Sequence, residues 1–169
     1  MIQNKVKQTL QGSLFFLTSL CYALPSDRTA LIHLTADTIS LDQHEHHGIY
    51  KGHVTLDQGS THLRAAQVIT DNDNNNRLTH AMAMGEDKIQ AHLWTLTSED
   101  KPEIHAYADQ LSYDPITHRI LLIGHAKVIQ GNHSFSAPRI EYDTLTEHVT
   151  TQKNGTSRTT IIIDPKVLS

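Results

Sequence analysis

The chain resembles itself at a single offset. Sliding it by 72 positions lays residues 32–70 on 104–142 without a gap, and 12 of the 39 pairs are identical, from Ile32/Ile104 to Ala65/Ala137. Chance would supply roughly two or three, so one structural unit is used twice. "IHLTADTISLD" (Ile32–Asp42) lies on "IHAYADQLSYD" (Ile104–Asp114), and "GHVTLDQG" (Gly52–Gly59) on "GHAKVIQG" (Gly124–Gly131). Whatever fold the chain adopts must accommodate both copies.

Within each copy apolar residues recur every second position between turn signals, which predicts strands and an all-β fold. A period of two sends alternate side chains to opposite faces of a sheet. In the first copy the inward set is Ile32, Leu34, Ile39, Leu41, Val54, Leu56, Leu63 and Val68. In the second it is Leu111, Tyr113, Leu122, Val128, Phe135 and Ile140. Gln58-Gly59 and Gln130-Gly131 mark hairpins, and the mid-run Gly52 and Gly124 suit a bulge or tight bend. Asp71–Asn76 reads as a polar loop closing the first copy, and Ile89, Ala91 and Leu93 extend the alternation through a bridging segment, 78–96. About twelve to sixteen short strands are expected. This face can be either the packed core of a sandwich or the lining of an open trough.

Residues 1–23 read as an export leader: Lys5 and Lys7, an apolar run over 12–20, then Cys21-Tyr22-Ala23 with small residues suited to cleavage after Ala23. The apolar run is about half of the roughly 20 residues that a membrane span needs. Cleavage leaves residues 24–169 as one domain, removes the only cysteine, and lowers Lys+Arg from 14 to 12 against 18 Asp+Glu. A net charge near −6 argues against nucleic acid as a partner.

Thirteen histidines raise the question of a metal. In the densest run, "DQHEHHG" (Asp42–Gly48), only two of the histidines can share a strand face. The matching segment of the second copy, "DPITHRI", keeps one, His118. The run therefore reads as a solvated turn, with no metal and no cofactor expected. His53/His125 read as the outward phase of a strand, and Asp37/Asp109 as bend residues whose carboxylates cap backbone amides. No catalytic motif stands out, and no enzymatic activity is expected.

"IHLTADTISLD" with "GIYKGHVTLDQGSTHLRAAQVIT", then "YADQLSYDPITHRILLIGHAKVIQG" and "SRTTIIIDP", resembles the OstA-like domain of the lipopolysaccharide-transport proteins LptA, LptC and the amino-terminal part of LptD. The likeness spans about residues 30–164 and, given the leader and the short chain, is nearest the LptA branch. It departs where the third strand of each copy ends in Ala65-Ala66 and Ala137-Pro138 instead of Ala-Asp, and where the following loop is Asn-rich. The resemblance implies a twisted, incompletely closed β-jellyroll in which two sheets form a V-shaped trough. It further implies a periplasmic carrier that bridges the inner and outer membranes, shields lipid A acyl chains with the inward residues and does no chemistry. Its implied partners are lipopolysaccharide, LptC, the LptD amino-terminal domain and further copies of itself joined edge to edge. The alternative is a structural or adhesive module with a filled core and a protein partner.

Overall fold

The computed structural model describes Leu24 and residues 27–164, apart from 147, 154, 156 and 157. The expected leader lies outside the described residues. After a short 3-10 turn (Asp27–Thr29), the first copy forms β1 (His33–Thr35), β2 (Thr38–Asp42), β3 (His47–Gln58) and β4 (Thr61–Asn72). The bridging segment forms β5 (Leu78–Met84) and β6 (Ala91–Thr95). The second copy forms β7 (Ile104–Ala108), β8 (Gln110–Asp114), β9 (Arg119–Gln130) and β10 (His133–Asp143), followed by β11 (His148–Gln152) and β12 (Thr160–Ile162). The offset of 72 carries β2 onto β8 and β3 onto β9 residue for residue.

All pairings are antiparallel, in one sheet that folds over on itself. The four long strands β3, β4, β9 and β10 run through the fold line and belong to both halves. One half runs β2-β3-β4-β5-β8-β9-β10-β11, and the other β1-β3-β4-β6-β7-β9-β10-β12. The short strands change from one half to the other at the fold line. The result is a V-shaped, incompletely closed β-jellyroll.

The bend is built from residues that are separate signals in the sequence. Gly52-His53 form a bulge between Lys51 and Val54, and Gly124-His125 form its copy in β9. All four have positive φ: 79° and 44° in the first copy, 76° and 46° in the second. Two residues facing one on the neighbouring strand kink the strand and increase its twist. The residue opposite the second bulge is Pro138, which has no N–H to leave unpaired.

Each bulge is held from the adjacent connection. The Asp37 N–H donates to the Gly52 carbonyl (2.9 Å), and that of Asp109 to the Gly124 carbonyl (3.0 Å). The Asp37 carboxylate meets His53 Nδ1 at 2.8 Å, and the Asp109 carboxylate meets His125 Nδ1 at 2.9 Å. This corrects the expected role of these aspartates. They hold the bulge histidine, and amide capping falls instead to Asp42, Asp114 and Asp143, each of which accepts two backbone N–H bonds in a turn. His53 and His125 are exposed as expected, but as bulge residues.

The hairpins at Gly59 and Gly131 have positive φ (57° and 55°) at the first turn residue only, the geometry of a two-residue II′ turn. The Asn-rich segment is shorter as a loop than expected. β4 continues to Asn72, and the Asp73 carboxylate then closes the turn on the N–H groups of Asn75 and Arg77. Ile89 is a second correction. It lies in the turn before β6, 79% exposed, so the alternation begins at Ala91.

Candidate lipid-binding trough

Residues directly opposite on antiparallel strands share a face, so the register defines the inner surface as continuous rows. One row runs Ile39–Tyr50–Val68–Ala83–Leu111–Leu122–Ile140–Thr151. Beside it lies Leu41–Gly48–Thr70–Ala81–Tyr113–Ile120–Tyr142–Val149. Across the V, Leu34–Leu56–Leu63–Leu93–Ala106–Val128–Phe135–Ile161 lines the other half. Val54 pairs with Ala65 nearer the fold line. Thirteen of the fourteen inward residues read from the sequence therefore occupy one surface. Ile32 precedes β1 and is 61% exposed.

The rows are not uniformly closed. Leu111, Leu122, Val128, Phe135 and Ile140 are buried, as are Val54 and Val68. Leu34, Leu56 and Leu63 are half-buried, while Ile39 and Leu41, in the same rows as Ile140 and Tyr142, are 49% and 64% exposed. Tyr113 is also partly exposed, at 40%. The second copy is thus a packed core, and the interior opens toward β1 and β2. A smaller exposed apolar strip, Ile161 to Ile163, lies at the far end.

The lining expected from the sequence left out the small residues that allow this closure. Ala83, Ala91, Ala106, Ala108, Ala126 and Ala137 are all buried, and Ala126 pairs with Ala137 beside the fold line. The repeat held one clue, since Ala65 and Ala137 are identical across the copies. Tyr142, 1% exposed, was likewise outside the expected lining.

The histidine-rich turn follows the pattern of its copy. The Asp42 carboxylate accepts the N–H groups of His44 (2.9 Å) and Glu45 (3.0 Å), as Asp114 does those of Ile116 and Thr117. The bond from Glu45, then that from His44, holds the Asp42 carboxyl below the usual range. His47 turns back to the Asp71 carboxylate at 2.6 Å. Among the described residues no three His, Cys, Asp or Glu side chains are grouped to hold a metal ion.

Histidines and aromatics also assemble on the outer face of the β1-to-β12 half. His92 stacks between Trp94 (centroids 4.5 Å apart) and Tyr107 (4.1 Å), and His62 stacks on Trp94 (5.0 Å). The Arg64 guanidinium lies 5.2 Å from the Trp94 ring centre. His92 Nε2 is 3.1 Å from His105 Nδ1. Burial, reinforced by His105 and Arg64, lowers the His92 pKa to about 4. An unfolded chain takes up this proton near 6.5 while the folded one resists until about 4, so this contribution to stability is present above 6.5 and is lost as pH falls toward 4. In an NMR titration the His92 ring should titrate near pH 4. His53 should titrate above the ordinary histidine range, because its hydrogen bond to Asp37 favours the charged form.

Among the described residues a single antiparallel sheet folds into a V that is apolar inside, with edge strands paired on one side only, which defines an open jellyroll architecture. The family model described as LptA/(LptD N-terminal domain) LPS transport protein matches residues 33–148. The chain is 31% identical over 156 residues to the lipopolysaccharide export system protein LptH of Pseudomonas aeruginosa, covering 88% of this chain and 87% of the relative. The crystal structure of LptH, described as the LptA-homologous periplasmic component of that organism's lipopolysaccharide transport device, superposes with a TM-score of 0.72 at 30% identity, covering 83% of this chain and all of the other. The chain belongs to the LptA/LptD amino-terminal domain family of lipopolysaccharide-transport proteins.

Proposed function

We propose that this protein is a periplasmic lipopolysaccharide carrier that shields lipid A acyl chains in its trough during export and performs no chemistry on them. The observation that carries this reading is the inner face at the β1/β2 end, where Ile39 and Leu41 continue the rows of the packed core yet remain exposed. Each CH₂ moved out of water contributes about 0.8 kcal/mol, so an acyl chain of about a dozen carbons gains on the order of 10 kcal/mol from an apolar lining. Leu34, Leu56 and Leu63 extend that lining across the V. The buried residues of the second copy act as the floor on which it is built.

We also propose that the protein works in series with neighbours of its own fold: LptC at the inner membrane, the LptD amino-terminal domain at the outer membrane, and further copies of itself. Among the described residues β1 and β2 pair only with β3, and β11 and β12 pair only with β10. Both ends therefore offer strand edges, and head-to-tail strand addition would continue the apolar rows from one unit to the next. The membrane-to-membrane bridge and the export leader at residues 1–23 belong to the same proposal. Among the described residues no helix is long and apolar enough to cross a membrane. Depleting the protein in cells should trap newly made lipopolysaccharide at the periplasmic side of the inner membrane. Unchanged delivery to the cell surface would refute the proposal.

A further inference from the structure

A second cavity lies on the outer side of the bend, where β11 leaves β10 and β12 joins it. At the two equivalent crossings the connection is minimal. Ala36-Asp37 link β1 to β2, Asp109 alone links β7 to β8, and each aspartate N–H closes onto a bulge glycine. The third connection, from Gln152 to Thr160, is longer, and beside it Gln152, Lys153 and Arg158 help to line a pocket of about 670 Å³. Its polar lining is His125, Lys127, Ser136, Arg139, Gln152, Lys153 and Arg158, and among the described residues none that lines it carries a carboxylate. Lys127 and Ser136 are paired on the face opposite Val128 and Phe135, so the pocket is outside the trough.

The charge here runs against the chain as a whole. Four of its 14 Lys and Arg residues line this one pocket, although Asp and Glu outnumber them overall at 18. Among the described residues two carboxylates pair with this lining or its neighbours. Asp109 holds His125, and Glu141, which is 3.6 Å from the Arg139 guanidinium, is shared with Arg119 at 2.7 Å. Neither neutralises Lys127, Lys153 or Arg158. The Arg139 Nε is buried without a hydrogen-bond partner among the described residues. Ammonium and guanidinium donors that line one pocket together with the Ser136 hydroxyl suit a compact, multiply charged oxyanion.

We propose that this pocket binds a phosphate group, either free or carried on a sugar headgroup. It stands independently of the trough. The test uses protein recovered from the periplasm, at neutral pH and low ionic strength, titrated by NMR with inorganic phosphate, pyrophosphate and glucosamine 1-phosphate, none of which has an acyl chain. Pyrophosphate should produce saturable shifts at the amides of Lys127, Ser136, Arg139 and Lys153, weakening as salt is raised. The exposed pair Lys127→Ser/Lys153→Ser should weaken binding at least about tenfold by removing two charge-assisted contacts, while Lys88→Ser, in the β5–β6 turn, should leave it unchanged. Binding of the free anions alone would identify free phosphate as the ligand; tighter binding of the sugar phosphate would identify a headgroup. The proposal is overturned if no probe saturates, or if Lys88→Ser weakens binding as much as the double variant.

Discussion

Replacing Ile140 with alanine should cost about 2–5 kcal/mol, whereas replacing Leu41 should cost under about 0.5 kcal/mol. Ile140 is fully buried, opposite Leu122 on one side and Thr151 on the other, so truncation leaves a void that the close-packed second copy cannot fill. Leu41 is 64% exposed and leaves no void. In a domain of this size each kcal/mol shifts Tm by about 2–4 °C, so Ile140→Ala should melt visibly earlier and Leu41→Ala almost with the parent. Urea unfolding at constant m value measures both. The reverse order is expected for lipopolysaccharide binding, where Leu41→Ala should weaken retention. Equal stability losses at the two positions would mean that the β1/β2 end is as closed as the second copy.

Gly124→Ala should be the other severe change, at about 2–4 kcal/mol. An alanine at φ 76° carries a backbone cost of about 1–2 kcal/mol. Its Cβ would also lie 2.2 Å from the Asp109 Oδ2 and 2.9 Å from the Asp109 Cβ. The corner cannot give way without breaking either the Asp109 N–H bond to Gly124 or the contact to His125. Combining it with Asp109→Ala should recover only part of the loss, because the Cβ of residue 109 remains in place. Gly52, at φ 79°, makes an equivalent close approach to Asp37, so Gly52→Ala should behave alike. Differential scanning calorimetry of the three variants provides the comparison; a Gly124→Ala protein as stable as the parent would show that the bulge is not what fixes the bend.

Much of the fold is legible in the sequence because local patterns and the repeat agree. The alternation in "GHVTLDQG" and "GHAKVIQG" sets the phase, and the offset places each strand of the second copy. The corner was legible only in pieces. Gly52 signalled a bend, His53 an outward position and Asp37 a turn, but their joint arrangement is made across strands, with Asp37 and His53 16 positions apart. The open and closed regions of the interior were not legible at all. Ile39 and Leu111 occupy matching positions in the two copies, and only the neighbours assembled by the fold leave the first exposed and bury the second. The stack on His92 depends in the same way on the register of β4, β6 and β7.

The inner face near β1 and β2 is expected to receive a lipid guest. A photo-crosslinking residue placed at Leu41, Leu56 or Thr55 tests it during transport in cells. Leu41 and Leu56 face inward, while Thr55 lies on the outer face of the same strand as Leu56, opposite Thr35 and Arg64. Crosslinks to lipopolysaccharide are expected from Leu41 and Leu56 and not from Thr55. No crosslink from either leucine, or an equal yield from Thr55, would contradict the trough.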